Sequence, residues 1–320
     1  MAFAFGDTGR LVVAAGSGRA GARTRTWARK AARLACYGLC TSWARVPPIR
    51  DRVLSQTTLA EKPLLVISLP RSGSSWVGDI MGSAEGTLYL HEPLTQTFHR
   101  TKTEPTLIEP EEAAPWYRPA AKAAFAGLPL FNPWVVRHPG QWRPSARNGR
   151  KVVVKEVNPL LCAWLTKAYQ PRVVLLVRHP AAVALSYRRM GWFDLDEFQM
   201  GSPDESPWKR HGRRQGHVLG QAISALEEND AAFIIVRYED LCLRPETTFR
   251  RLFAFGGLPW TPEVQQLVRN KSSGGDRRAV FATERHSSSM VEAWRDEIHH
   301  KYLDDVLDGY SDAGRPLYNE

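Results

Sequence analysis

The chain has 320 residues, 43% of them hydrophobic, and a formal net charge of +10, enough length for one large α/β domain or two small ones. It contains no run of the roughly 18–20 apolar residues that span a bilayer, and its start, MAFAFGDTGRLVVAAGSGRA, lacks the basic opening and sustained apolar core of a signal peptide. Four cysteines (Cys36, Cys40, Cys162 and Cys242) form neither a disulfide framework nor a zinc-ligand set, so a cytoplasmic enzyme with reduced thiols is expected.

The charge is concentrated at one end. Residues 1–62 hold eleven Lys/Arg against three acids, whereas the rest is close to balanced. A nucleic-acid enzyme spreads basic charge over its working face, so a nucleic-acid partner is not expected. Residues 1–62 read instead as a basic N-terminal extension on a catalytic domain of residues 63–320. Within it, Trp27, Leu34, Tyr37 and Leu39 are candidates for an apolar helix face opposite Arg29, Lys30 and Arg33. Such a face would suit either packing on the domain or peripheral contact with anionic lipid.

In chain order, LLVISLPRSGSSWVGDI (Leu64–Ile80) predicts a strand, a tight polar loop and a helix. TLYLHEPL (Thr87–Leu94) predicts a second strand ending at an acid. Residues 95–150 are rich in Pro and Trp and read as irregular, with one short helix near Ala120–Ala126; they form a candidate acceptor-binding insertion. KVVVKEV (Lys151–Val157) and RVVLLV (Arg172–Val177) are continuous apolar runs, as in parallel strands covered on both faces. Helices are predicted at PLLCAWLTKAY, AAVALSYRRM and His217–Asn229, a fifth strand at AAFIIVRYEDL, and a helix at PETTFRRLFAFGGL. This alternation predicts an α/β fold, a doubly wound parallel sheet of about five strands with a P-loop-like core and a helical C-terminal third.

Ligands of such sheets lie beyond the carboxyl ends of the strands. The polar groups expected there are the loop Arg71–Ser75, then Glu92, Lys155, Arg178 and Tyr238. Two strand-end cations, one acid, a phenol and a loop rich in N–H groups describe a site for a strongly anionic ligand. The loop has neither the first Gly nor the Lys of G-x-x-x-x-G-K-[ST], so it lacks the parts that serve a γ-phosphate and its Mg²⁺. Arg-His-Pro occurs twice, at Arg137 and Arg178, each with a serine eight residues on. Only Arg178 and Ser186 have a strong strand and helix around them; Pro139 and Pro144 preclude a helix from Arg137 to Ser145. Arg137 is expected in a loop near the acceptor.

With these motifs the sequence resembles the sulfotransferases that use 3′-phosphoadenosine 5′-phosphosulfate (PAPS). PRSGSSW looks like their 5′-phosphosulfate loop, RHPAAVALS like their 3′-phosphate motif, VRYEDLCLRPETTFRRLFAFGGL like the segment whose Tyr approaches the adenine, and RHSSSMVEAWRDEI like the late loop and helix of carbohydrate-type members. The resemblance covers about Pro63 to Ile298, with residues 95–150 unmatched. It implies PAPS as sulfuryl donor without a metal ion. Donor contacts would come from Arg71, Ser72, Gly73, Ser74, Ser75, Trp76, Arg178, Ser186, Tyr238, Ser287 and Ser288, and Lys155 would lie near the transferring sulfate. Glu92, twenty-one residues after Arg71, stands where several members place a catalytic glutamate and is the expected base, its basicity raised by desolvation. His91 is the alternative; in an extended strand neighbours 91 and 92 face opposite ways, so only one is expected at the donor. Glu156 reads as structural.

The acceptor implied is a saccharide or glycoconjugate. In residues 95–150, Trp116, Tyr117, Trp134 and Trp142 lie among Arg118, Arg137, Arg143 and Arg147, which suits either sugar stacking beside anionic groups or core packing. A protein tyrosine, phenol or lipid hydroxyl remains an alternative acceptor. A P-loop small-molecule kinase and a non-catalytic polyanion binder remain alternatives of other classes.

Overall fold

The computed structural model describes residues 31–99, 110–273, 291–313 and 315–318, with side chains of 97–99, 110–116 and 273 left aside. Five parallel strands, β1 (Leu64–Ser68), β2 (Thr87–His91), β3 (Lys151–Glu156), β4 (Arg172–Val177) and β5 (Phe233–Arg237), form one sheet in the order β2-β3-β1-β4-β5. Every residue of β1 and β2 is buried, as are Val152–Glu156 of β3 and Val173–Val177 of β4. Two apolar clusters cover the two faces. Leu65, Ile67, Val154 and Leu175 point into one; Leu64, Val66, Val153 and Val174 point into the other. The continuous apolar runs therefore form central strands because each face has its own helical layer.

Helices α1 (residues 31–41) and α2 (Pro47–Gln56) precede the sheet. Next in chain order come α3 (Ser74–Gly82), α4 (Pro93–His99), α5 (Pro110–Phe125), α6 (Cys162–Tyr169), α7 (Pro180–Met190) and α8 (Pro207–Glu228). The last four are α9 (Tyr238–Leu243), α10 (Pro245–Gly256), α11 (Pro262–Ser273) and α12 (His300–Asp312). No described helix is long and apolar enough to cross a membrane.

Three expectations change here. Residues 95–150 are not irregular around one short helix: α5 alone runs for 16 residues. Pro115 and Pro119 lie inside it, and the burial of Tyr117, Ala120, Ala121 and Ala124 at helical spacing supplies packing that outweighs their cost. Nor do the described residues before residue 63 stand apart from the catalytic domain as an extension. Trp43, Ala44 and Val53 form a buried cluster with Leu128, the Trp43 indole N–H donates to the Trp142 carbonyl at 2.8 Å, and Ala60 N–H donates to the Arg150 carbonyl at 2.8 Å. Finally, Tyr37 and Leu39 do not share a face. The Tyr37 hydroxyl donates to the Phe131 carbonyl, while Leu39 is 82% exposed; two residues on a helix turn by about 200°, to the far side. Trp27, Arg29 and Lys30 lie outside the described residues.

Candidate active site

β1 leads into a loop whose backbone is left-handed at Arg71 (φ 68°) and Gly73 (φ 92°), the latter capping α3. Gly73 is required for space as well as conformation: a Cβ there would lie 2.5 Å from the Tyr238 ring. The loop aims N–H groups outward at a helix start, an anion-binding arrangement. Not every expected donor is available, however. Trp76 N–H donates to the Gly73 carbonyl at 3.0 Å and Ser72 N–H to that of Leu69 at 3.4 Å. Among the described residues no acceptor takes the N–H groups of Gly73, Ser74 and Ser75. Ser74 is buried and accepts from the Ser68 hydroxyl at 2.8 Å; Ser75 is half-buried. The Trp76 ring packs edge-on against Phe249 and belongs to the core.

The second anion motif lies against the first. Arg71 Nε donates to Ser186 Oγ at 2.9 Å, and Arg178 Nη1 donates to the Arg71 carbonyl at 3.0 Å. Arg178 therefore joins β4 to the loop, with its Nε buried and unpartnered among the described residues. Its guanidinium lies 4.6 Å from the centre of the Tyr238 ring. Tyr238 is 6% exposed, with Arg178 over a ring face and Gly73 against its edge, so it braces the two motifs. Ser287 and Ser288 lie outside the described residues. The described end of that late segment does reach this region: Trp294 stacks on His179, next to Arg178, at 4.1 Å.

At the other edge of the sheet, β2 and β3 place His91 opposite Lys155. The strand ends there, and Glu92 turns left-handed (φ 54°), its N–H donating to the Lys155 carbonyl at 2.6 Å. The alternation expected of an extended strand is broken at that residue. Both side chains converge, with His91 Nε2 3.5 Å from Glu92 Oε1. The Lys155 ammonium contacts Glu92 Oε1, and Gln96 Nε2 donates to Oε2 at 3.1 Å. Burial alone would raise the Glu92 carboxyl, but Lys155, His91 and Gln96 hold it at about 2. The expected rise in basicity is therefore absent from this state, because the nearest cation neutralises the carboxylate.

His91 is held in one protonation state. Arg137 Nη2 lies 3.0 Å from its Nε2, and a guanidinium only donates, so Nε2 accepts. The proton must then sit on Nδ1, 3.0 Å from the Tyr89 hydroxyl, which in turn bonds Asp79. Burial, together with Lys155 and Arg137, lowers the His91 pKa well below the usual value. Arg137 Nη1 also contacts both Asp79 oxygens at 2.9 Å. Sequence reasoning put Arg137 in an acceptor loop and missed its contact with His91. The contact arises because His91 N–H donates to the Val135 carbonyl at 2.9 Å, drawing residues 135–137 onto the sheet edge. Glu156 points elsewhere: it accepts from Leu94 N–H at 2.6 Å and the Thr95 hydroxyl at 2.6 Å, tying β3 to α4.

Of the aromatics in residues 95–150, Tyr117 and Trp142 are core residues at 2% and 1% exposure, and Trp116 has no described side chain. Trp134 is 56% exposed, with its ring centre 6.5 Å from that of His91. Among the described residues no group of three or more His, Cys, Asp and Glu side chains is arranged to hold a metal ion.

Comparison with known proteins adds a family. The sequence pattern of the group described as "Sulfotransferase family" matches residues 63–262. Human (Homo sapiens) carbohydrate sulfotransferase 6 is 33% identical over 307 residues, covering 72% of this chain and 74% of that protein. Human carbohydrate sulfotransferase 3 is 29% identical over 136 residues, 39% of this chain. The match spans 28% of that relative's own length. Among solved structures, the sulfotransferase domain from the curacin biosynthetic pathway superposes with a TM-score of 0.49 at 17% identity, covering 82% of this chain and all of that one.

Proposed function

The chain belongs to the sulfotransferase family, and from that premise we propose that it transfers a sulfuryl group from PAPS to a hydroxyl of a saccharide or glycoconjugate. The observation that carries this reading is the direct link between the two anion motifs, Arg71 to Ser186 and Arg178 to the Arg71 carbonyl. Residues 115 positions apart form one cradle, suited to a ligand that carries two separate anionic groups. The Arg178 Nε and the N–H groups of Gly73, Ser74 and Ser75, without partners among the described residues, fit such a donor. An adenosine 3′,5′-bisphosphate moiety has its anions so divided, and the loop's lack of a Walker lysine matches a donor without a γ-phosphate.

When bound, PAPS supplies the sulfuryl group. The loop and Arg71 stabilise charge on the leaving phosphate, and Arg178 and Ser186 hold the 3′-phosphate. Lys155 neutralises charge on the transferring group, and this couples it to the base. A donor oxygen that takes over the Lys155 ammonium removes the main influence lowering Glu92 and leaves the burial that raises it. Glu92 then accepts the acceptor's hydroxyl proton. His91 cannot serve, because its one lone pair faces Arg137.

The named relatives support a carbohydrate acceptor. A polyanion binder is disfavoured because the Lys155 ammonium is already engaged by the Glu92 carboxylate. The test is transfer of labelled sulfate from PAPS to an acceptor panel of saccharides, tyrosyl peptides, phenols and lipid alcohols. Sulfate ester formed on a saccharide is expected; phosphoryl transfer from ATP, or no transfer to any class, would overturn the reading.

A further inference from the structure

We propose that Trp134 is the acceptor platform, stacking the C–H face of a pyranose ring so that its hydroxyls reach Glu92; this rests on the sulfotransferase reading above. Trp134 is the exposed tryptophan among the described large hydrophobic residues, at 56%, and it stands beside the base rather than on a remote surface. Its ring is 6.5 Å from that of His91, whose Nε2 is 3.5 Å from Glu92 Oε1. One side of the indole has the Arg137 guanidinium 5.2 Å from its centre. That cation is already engaged by Asp79 and His91. The platform therefore offers a flat, polarised apolar face with no uncommitted charge from Arg137, a surface for C–H groups rather than for an anion.

The platform is fixed in position. Asn132 Oδ1 accepts from Trp134 N–H at 2.9 Å and Val135 N–H at 3.1 Å, while Val135 carbonyl joins the sheet edge through His91. From the other side, Tyr37 and Arg45 both donate to the Phe131 carbonyl, and Arg33 donates to that of Pro133 at 3.2 Å. Helix α1 and the turn after it thus clamp the loop that carries the indole. A flat group held at such spacing from the reacting end orients a substrate without touching its reacting bond.

The test is saturation-transfer NMR on the full chain with adenosine 3′,5′-bisphosphate bound, using lactose, diacetylchitobiose and 2-naphthol as probes. Ring C–H protons of at least one disaccharide should receive saturation, and its Kd should rise about tenfold or more in Trp134→Ala. Trp134→Phe should retain most of the affinity, and bisphosphate affinity should be unchanged in both variants, showing that they are folded. Wild-type sugar affinity in Trp134→Ala would overturn the proposal, as would saturation of neither disaccharide, or 2-naphthol binding through Trp134 in their place. Failure of the wild-type chain to bind the bisphosphate would instead remove the donor reading beneath it.

Discussion

Lys155 and Glu92 meet at the carboxyl edge of the sheet as an ion pair, the lysine side chain 1% exposed and the carboxylate 14%. Such a pair is expensive to break by deleting one partner, because the other charge is left buried. It is easily re-partnered by an incoming anion. With Lys155 beside it the carboxyl is held at about 2, so in the proposed mechanism donor binding precedes its action as a base. The acid limb of kcat/KM for PAPS reports the free protein and that of kcat the loaded one. The kcat limb is expected at the higher pH; coincident limbs would show that Lys155 does not mask the base.

Glu92→Gln keeps the shape but cannot accept a proton. Its kcat should fall about a hundred- to ten-thousandfold, with bisphosphate affinity unchanged or raised, since a carboxylate next to the donor site is gone. His91→Ala should reduce kcat far less, because Nε2 accepts from Arg137 rather than facing a substrate. Steady-state kinetics on the pair decides between them: a larger loss in the histidine variant would transfer the role.

Trp43 buries its ring against the domain and donates to two carbonyls, those of Cys40 and Trp142. Trp43→Ala is expected to lower stability by about 3–5 kcal/mol in denaturant unfolding. Tyr37→Phe, which removes the bond to the Phe131 carbonyl and the one accepted from Arg45 Nη2, should weaken acceptor binding and leave bisphosphate binding unchanged. Deletion of residues 1–50 should therefore impair folding, although the sequence reads there as an extension that precedes the catalytic domain. A stable, bisphosphate-binding deletion would refute the clamp.

Glu156 is fully buried, and that burial, partly offset by the Thr95 and Leu94 bonds, raises its carboxyl from 4.5 to about 7. A carboxyl raised on folding favours the native state while protonated, so its contribution is lost as pH rises from 4.5 through 7. The displacement corresponds to roughly 3 kcal/mol, favouring the more acid end of that window. Glu156→Gln should flatten the pH dependence of unfolding free energy there. An unchanged slope would assign that dependence to other groups.

The sheet and the strand-turn-helix units that carry Arg71 and Arg178 were legible because their signals are local. Continuous Val/Leu runs mark buried strands, and Arg178 and Ser186 sit on one strand-turn-helix. The acceptor side was not, because its contacts are long-range. Arg137 reaches His91 across 46 residues and Lys155 reaches Glu92 across 63. A single left-handed residue, Glu92, reversed the side-chain alternation that had separated it from His91. Helix α5 was hidden by prolines whose cost is met by tertiary burial, which no local propensity records.

The central claim is tested most directly by calorimetric titration of adenosine 3′,5′-bisphosphate in excess EDTA, on the wild-type chain and Arg178→Ala, with adenosine 5′-phosphosulfate and ATP as comparison ligands. A charged hydrogen bond contributes about 1.5–3 kcal/mol, or roughly ten- to a hundredfold in affinity. The bisphosphate should bind the wild-type chain without metal and more tightly than ATP. Arg178→Ala should lose that factor for the bisphosphate and less for adenosine 5′-phosphosulfate, which lacks the 3′-phosphate and loses only the bracing of the loop at the Arg71 carbonyl. Equal losses for both ligands, or binding of ATP in preference once Mg²⁺ is restored, would contradict a PAPS-dependent sulfotransferase site.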